Sequence, residues 1–241
     1  MEGLDAVIFD WGGTLNRWHD IDFHEESFAL AQAVGAAGDH DHTVNAAALH
    51  AAGQTVWGWS RDHQRSATIE DLFAEAGLEH DPELLTAYFE FWEPYTLTDP
   101  DVLPMFEELR AEGLKVGILS NTIWPREWHH RIFERDGLMP LIDGDVYSSE
   151  IPWTKPSPMA FQAAMDAVGV QDPGRCVYVG DRLFDDMWGA HSAGMLAVHV
   201  PHSNIPAVQI GHTEGDPDGV VQRLADVPAV LRQITGRIRP T

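Results

Sequence analysis

The chain has 241 residues, 44% of them hydrophobic, and carries 15 basic against 38 acidic side chains for a formal charge of −23. That is enough apolar material for one large α/β domain, or for a core domain with a smaller insert. The charge excludes a nucleic-acid binder and disfavours an acidic membrane surface, since both demand basic protein surface; no apolar run reaches the roughly 18 residues of a membrane span.

The opening MEGLDAVIFD has no basic n-region, so a signal peptide is not expected and a cytoplasmic location is. Ala6–Phe9 reads as a buried strand that ends in Asp10 and a glycine-bearing turn, Trp11-Gly12-Gly13-Thr14. From Arg17 to Tyr95 no strand pattern occurs. Helix-like stretches recur there instead, at Phe23–Val34, Val44–Ala52, Thr68–Ala76 and Pro82–Trp92. A helix over Pro104–Glu112 ends at Gly113 and is followed by a strand at Lys115–Leu119. Asp145–Tyr147 is the next strand, and a helix over Pro158–Val168 ends at Gly169. Strands at Cys176–Val179 and Leu196–Val200 follow, then a helix over Pro228–Ile234. The lone Cys176 lies in the apolar run CVYVG and reads as a packed core thiol. This alternation implies a mostly parallel sheet with helices on both faces, and a helical insert after the first strand. The expected division is 1–16 and 96–241 for the core and 17–95 for the insert.

In such sheets ligands bind outside the carboxyl ends of the strands. Four candidates lie there in chain order: Asp10; Ser120, with Asn121 beside it; Lys155 in Trp153-Thr154-Lys155-Pro156; and Asp181 after Val179-Gly180, with Asp185 and Asp186 beyond. Each has a bland reading as a turn, cap or solvated residue. Together they describe a carboxylate nucleophile for phosphoryl transfer, acids that can share Mg²⁺, and a hydroxyl and an ammonium for the transferring oxygens.

FDWGGTL, ILSN, Lys155-Pro156 and GDRLFDDMWGAHSAGM resemble, in order, the four motifs of the haloacid dehalogenase (HAD) superfamily. The resemblance implies a Rossmann-like doubly wound core with a helical cap of the C1 type. It implies Asp10 as nucleophile, Ser120 as phosphate ligand and Lys155 as the bridge between nucleophile and phosphate. Asp10, the backbone carbonyl of Gly12, Asp181 and Asp186 would serve Mg²⁺, with Asp185 a weaker alternative to Asp186. Thr14, Asn121 and Arg61 are expected at the substrate.

The family's first motif is usually written DxDGT, and its second aspartate, the general acid and base, is here Gly12. Alkyl phosphates should therefore suffer most, and acyl or aryl phosphates least. Phosphonoacetaldehyde hydrolases tolerate alanine at this position but use a cap lysine, and 17–95 contains none; the chain's two lysines are Lys115 and Lys155. Dehalogenases carry an aromatic residue there and need no metal, and Arg17 or Arg61 offers a site for a halide or carboxylate. His19 and His63 are candidates to replace the acid, although most of the 13 histidines are expected at the surface or in packing. Arg61 and Arg65 are candidate anion contacts, Trp57, Trp59 and Trp92 are read as packing, and His40-Asp41-His42 as a polar loop. The leading expectation is a Mg²⁺-dependent hydrolase of a small phosphorylated metabolite, as monomer or homodimer. The alternatives are a non-catalytic HAD fold that binds a phosphorylated ligand or a protein, and a C–halogen hydrolase.

Overall fold

Strands β1 (Ala6–Phe9), β2 (Lys115–Ser120), β3 (Gly144–Tyr147), β4 (Cys176–Gly180), β5 (Leu196–His199) and β6 (Gly219–Val220) pair in parallel in the order β3-β2-β1-β4-β5-β6. The computed structural model describes residues 1, 3–19, 21–34, 41–201 and 212–238. The order reverses at β1, whose neighbours are β2 and β4, so the crevice of this doubly wound sheet opens beside β1.

Both faces of the sheet are covered, and β1 shows how. Val7 and Phe9 enter one apolar cluster, while Ala6 and Ile8 enter the other. Helices α5 (Val102–Ala111), α6 (Arg126–Arg135) and α9 (Val227–Ile238) cover the first face through Phe106, Phe133 and Leu231. Helices α7 (Pro158–Ala167) and α8 (Gly189–Ser192) cover the second through Phe161 and Ala190. Cys176 is buried in that second cluster, and burial pushes its thiol up to about 12, as suits a packing residue.

Between β1 and β2 stands a helical cap of α1 (Phe23–Ala31), α2 (His42–His63), α3 (Ile69–Glu75) and α4 (Thr86–Trp92). The sequence marks α2 only over Val44–Ala52, yet the helix runs 22 residues. Its buried side chains, Asn45, Ala46, Leu49, Ala52 and Val56, keep a helical stripe across Gly53, and neighbouring helices supply what local propensity lacks. The Pro82–Trp92 stretch divides into a 3₁₀ turn over Pro82–Leu85 and then α4. Asp41 caps α2 by accepting from the Thr43 amide at 2.9 Å; His40 lies outside the described residues. Gly113 and Gly169 end their helices at φ +84° and +67°, the left-handed region that glycine adopts without strain. No helix among the described residues is long and apolar enough to cross a membrane.

Candidate active site

The β1 ladder extends one residue past the strand, because the Asp10 amide donates to the Val179 carbonyl at 2.9 Å. This carries the Asp10 carboxylate, 5% exposed, to the carboxyl edge between β2 and β4. The chain then turns sharply, with the Trp11 carbonyl accepting from the Leu15 amide at 2.9 Å. Gly13 sits at φ +87°, and a Cβ there would lie 2.4 Å from an Asp181 carboxylate oxygen and 2.1 Å from Trp18 Nε1. Only glycine admits that approach, in which the Trp18 indole donates to Asp181 Oδ2 at 3.2 Å.

Lys155 is the hub. Its loop is held by Asn121, whose Oδ1 accepts from the Lys155 amide at 2.8 Å and whose Nδ2 donates to the Lys155 carbonyl at 3.0 Å. The buried ammonium reaches Asp10 Oδ1 at 2.8 Å, Asp186 Oδ1 at 2.7 Å and the Tyr178 hydroxyl at 2.8 Å. That hydroxyl in turn donates to the Leu119 carbonyl at 2.8 Å. Asp186 lies on a π-helical turn, Leu183–Trp188, and its Oδ2 accepts from the Arg182 amide at 2.9 Å. A Cβ on Gly180 would stand 2.3 Å from that same oxygen, so glycine here lets the turn fold onto β4.

Carboxylate oxygens of Asp10, Asp181 and Asp186 lie within 4.8 Å of one another, and all three residues are buried. The Lys155 ammonium pairs with two of these acids, Asp10 and Asp186. Burial pushes the Asp10 carboxyl up to about 7, Asp186 and Asp181 push the same way, and Lys155 opposes them. Burial would lower the Lys155 ammonium, but Asp10 and Asp186 outweigh it and hold its pKa above the ordinary lysine value. A buried cluster of hard oxygen donors suits a divalent cation. Burial also raises Asp185, to about 6, against the pull of Arg182.

Above this cluster lies a cavity of about 460 Å³ between core and cap, with Asp10, Gly12, Ser120, Asn121, Lys155 and Asp181 at its floor. Arg61 reaches its wall from α2 while paired with Asp62 at 2.8 Å. Thr14 does not line it: the side chain is fully buried and its Oγ1 has no hydrogen-bond partner among the described residues. His19 lines the cavity against Tyr95, whereas His63 is exposed and is not on the wall. No atom of the described residues beyond its chain neighbours lies within 4 Å of where a Gly12 Cβ would stand.

Several participants had no sequence signal. Tyr178 was hidden inside an apolar strand, and Trp124 followed a polar loop. Glu26 lines the cavity from α1 and accepts from the Tyr88 hydroxyl at 2.9 Å. Burial pushes its carboxyl up to about 7, while the Tyr88 hydrogen bond pulls the other way. A helix-period pattern places Glu26 on a face but cannot say that the face meets the core.

The chain matches the haloacid dehalogenase-like hydrolase family over residues 4–194. It is 30% identical to the glyceraldehyde 3-phosphate phosphatase of Methanopyrus kandleri over 75% of this chain and 77% of that one. It is 28% identical to the phosphonoacetaldehyde hydrolase of Bordetella avium over 98% of this chain and 92% of that one. Among solved structures it resembles a HAD phosphatase from Thermococcus onnurineus with a TM-score of 0.64 and 23% identity, covering 95% of this chain and 98% of that one.

Proposed function

The chain belongs to the haloacid dehalogenase-like hydrolase family, and from that premise we propose that it is a Mg²⁺-dependent, phosphatase-type hydrolase of a small phosphorylated metabolite. Residues 17–95 then form a C1-type cap over a core of 1–16 and 96–241. The observation that carries the reading is the Lys155 ammonium, 2.8 Å from Asp10 and 2.7 Å from Asp186, beside a buried three-carboxylate cluster. Asp10 is the nucleophile, held at the strand edge with one oxygen fixed by Lys155. The ammonium stays charged and meets a phosphoryl oxygen as the substrate's charge arrives. The Ser120 hydroxyl donates to another. Asn121, occupied by the Lys155 backbone, positions the lysine rather than touching substrate, and Thr14 acts through the packing of its turn. Arg61 meets the substrate from the cap. Asp10, Asp181, Asp186 and the Gly12 carbonyl would hold Mg²⁺, which when bound screens the anionic nucleophile from the anionic substrate.

The phosphonoacetaldehyde reading fails on the lysines. Lys115 is at the opposite end of its strand from the site and donates to the Val168 carbonyl at 2.7 Å. Lys155 belongs to the core, not the cap, and its ammonium is engaged by Asp10 and Asp186. Phosphate release from acetyl phosphate and phenyl phosphate, with Mg²⁺ and with a chelator, tests the proposal. Asp10→Asn and metal removal should each lower the rate by at least about 10³-fold. Unchanged release in either case refutes it, and absence of any turnover by the native protein favours a binding protein on the same fold.

A further inference from the structure

The cavity wall above Asp10 is aromatic, and it begins at the very next residue. Trp11 packs on Trp124 with ring centroids 5.7 Å apart; Trp124 meets Trp92 at 5.4 Å and Tyr88 at 6.2 Å, with the latter two contacts near edge-to-face. All four side chains line the cavity, and Trp57 joins them from α2 while 43% exposed. A tryptophan left that open to a cavity retains apolar surface for an occupant. Three charged groups of this wall have partners: Arg17 pairs with Asp99 at 3.4 Å, Arg61 with Asp62, and Glu26 accepts from Tyr88. Trp11 Nε1 and Asn16 Oδ1, also on the lining, have no hydrogen-bond partner among the described residues. The indoles thus offer an occupant a ring face, and Trp11 a donor beside it.

The second observation is independent of the wall. No atom of the described residues beyond its chain neighbours lies within 4 Å of a Cβ built on Gly12, the position of the family's usual proton donor. A leaving oxygen receives no proton from residue 12, and a stable oxyanion departs most readily under that condition. Resting on the phosphatase reading, we propose that the site takes phosphate monoesters of aromatic alcohols, with the ring against Trp11, Trp124, Trp92 and Trp57. An Asp10 carboxylate oxygen forms a bond to phosphorus as the P–O(aryl) bond breaks, and its electron pair leaves on the aryl oxygen. A phenolate, whose conjugate acid has a pKa of about 10, leaves unprotonated and takes its proton from water afterwards. An alkoxide, the anion of a far weaker acid, does not. Water then bonds to phosphorus, the P–O(Asp10) bond breaks, and inorganic phosphate leaves with one proton passing to solvent.

Calorimetric titration with phenylphosphonate and propylphosphonate, neither of them hydrolysable, reads the wall without chemistry. Phenylphosphonate should bind at least about tenfold more tightly. Trp57→Ala, at a half-exposed position, should weaken phenylphosphonate about fivefold, and by more than it weakens propylphosphonate. Equal affinities in the native protein overturn the proposal. Turnover of phenyl, propyl and acetyl phosphate reads the chemistry. A kcat/KM for phenyl phosphate at least about 10²-fold above propyl phosphate is expected. Acetyl phosphate turnover with equal phenyl and propyl rates sinks the aryl assignment and leaves the phosphatase reading intact. No turnover of any of the three removes the phosphatase reading, and the phosphonate titrations still decide whether the wall takes a ring.

Discussion

Gly12 and Gly13 are adjacent and identical in sequence, and the structure gives them opposite meanings. Gly13 is demanded by contact, since any Cβ collides with Trp18 and Asp181, and by its φ of +87°. Gly12 lies outside the left-handed region, and no described residue beyond its chain neighbours comes within 4 Å of a Cβ built on it. Substitution at Gly12 is therefore sterically free, and its effect reports on chemistry. Gly12→Asp should raise kcat/KM for propyl phosphate by about 10²-fold, the usual scale of positioned acid–base catalysis, and that for phenyl phosphate by less than about tenfold. Steady-state kinetics on the two esters check this. Equal gains on both would mean that the carboxylate acts by something other than protonating the leaving group.

The π-helical turn after β4 is the element on which the cluster depends. A π turn widens the helix by one residue, and such turns occur often at functional sites. Here it brings Asp186 back over Gly180, between the Arg182 amide and Lys155. Gly180→Ala would push the Asp186 carboxylate off its seat, because the added Cβ meets it at 2.3 Å. Lys155 would then lose one of its two buried carboxylates. The expected cost is about 3 kcal/mol in denaturant unfolding, together with weaker Mg²⁺ binding by calorimetry. Retained stability and metal affinity would show that the turn can relax. On the cap side, α2 ends at Gln64, in the left-handed region at φ 52°, and the following Arg65 bridges to Trp153. The Gln64 carbonyl also accepts from the Thr154 amide at 3.1 Å, so the end of a cap helix is tied to the loop that presents Lys155.

Over the whole molecule, 38 acidic against 15 basic side chains leave strong self-repulsion in the folded state. The ion pairs scattered over the surface, such as Arg175–Asp5 and Arg223–Asp101, are each worth little in water. Screening the excess charge should outweigh their loss, so the melting temperature should rise as NaCl increases from about 20 mM to about 500 mM. A fall over that range, followed by circular dichroism, would place the balance with the pairs. The carboxylates of Asp10, Asp181 and Asp186 are buried, where screening by salt is weak.

The sheet was legible because buried parallel strands are short apolar runs, and five of the six announce themselves so; β6 has only two residues and no period to read. Helix α6 passed unmarked because its sequence, REWHHRIFER, is mostly polar, though Trp128, His129, Ile132 and Phe133 make a buried face. Sequence by itself determined the alternation that makes a doubly wound sheet. It also determined the placing of Asp10, Ser120, Lys155 and Asp181 at strand ends or in the loops after them, because strand pattern and turn residues are local properties. Only the tertiary structure decided that Asn121 grips the Lys155 backbone, that Thr14 is enclosed, that no described residue beyond its chain neighbours comes within 4 Å of a Gly12 Cβ, and that tryptophans from the motif-one turn, the cap and the loop after β2 form one wall. Those are distances between residues far apart in the chain, and the packing of cap on core sets them.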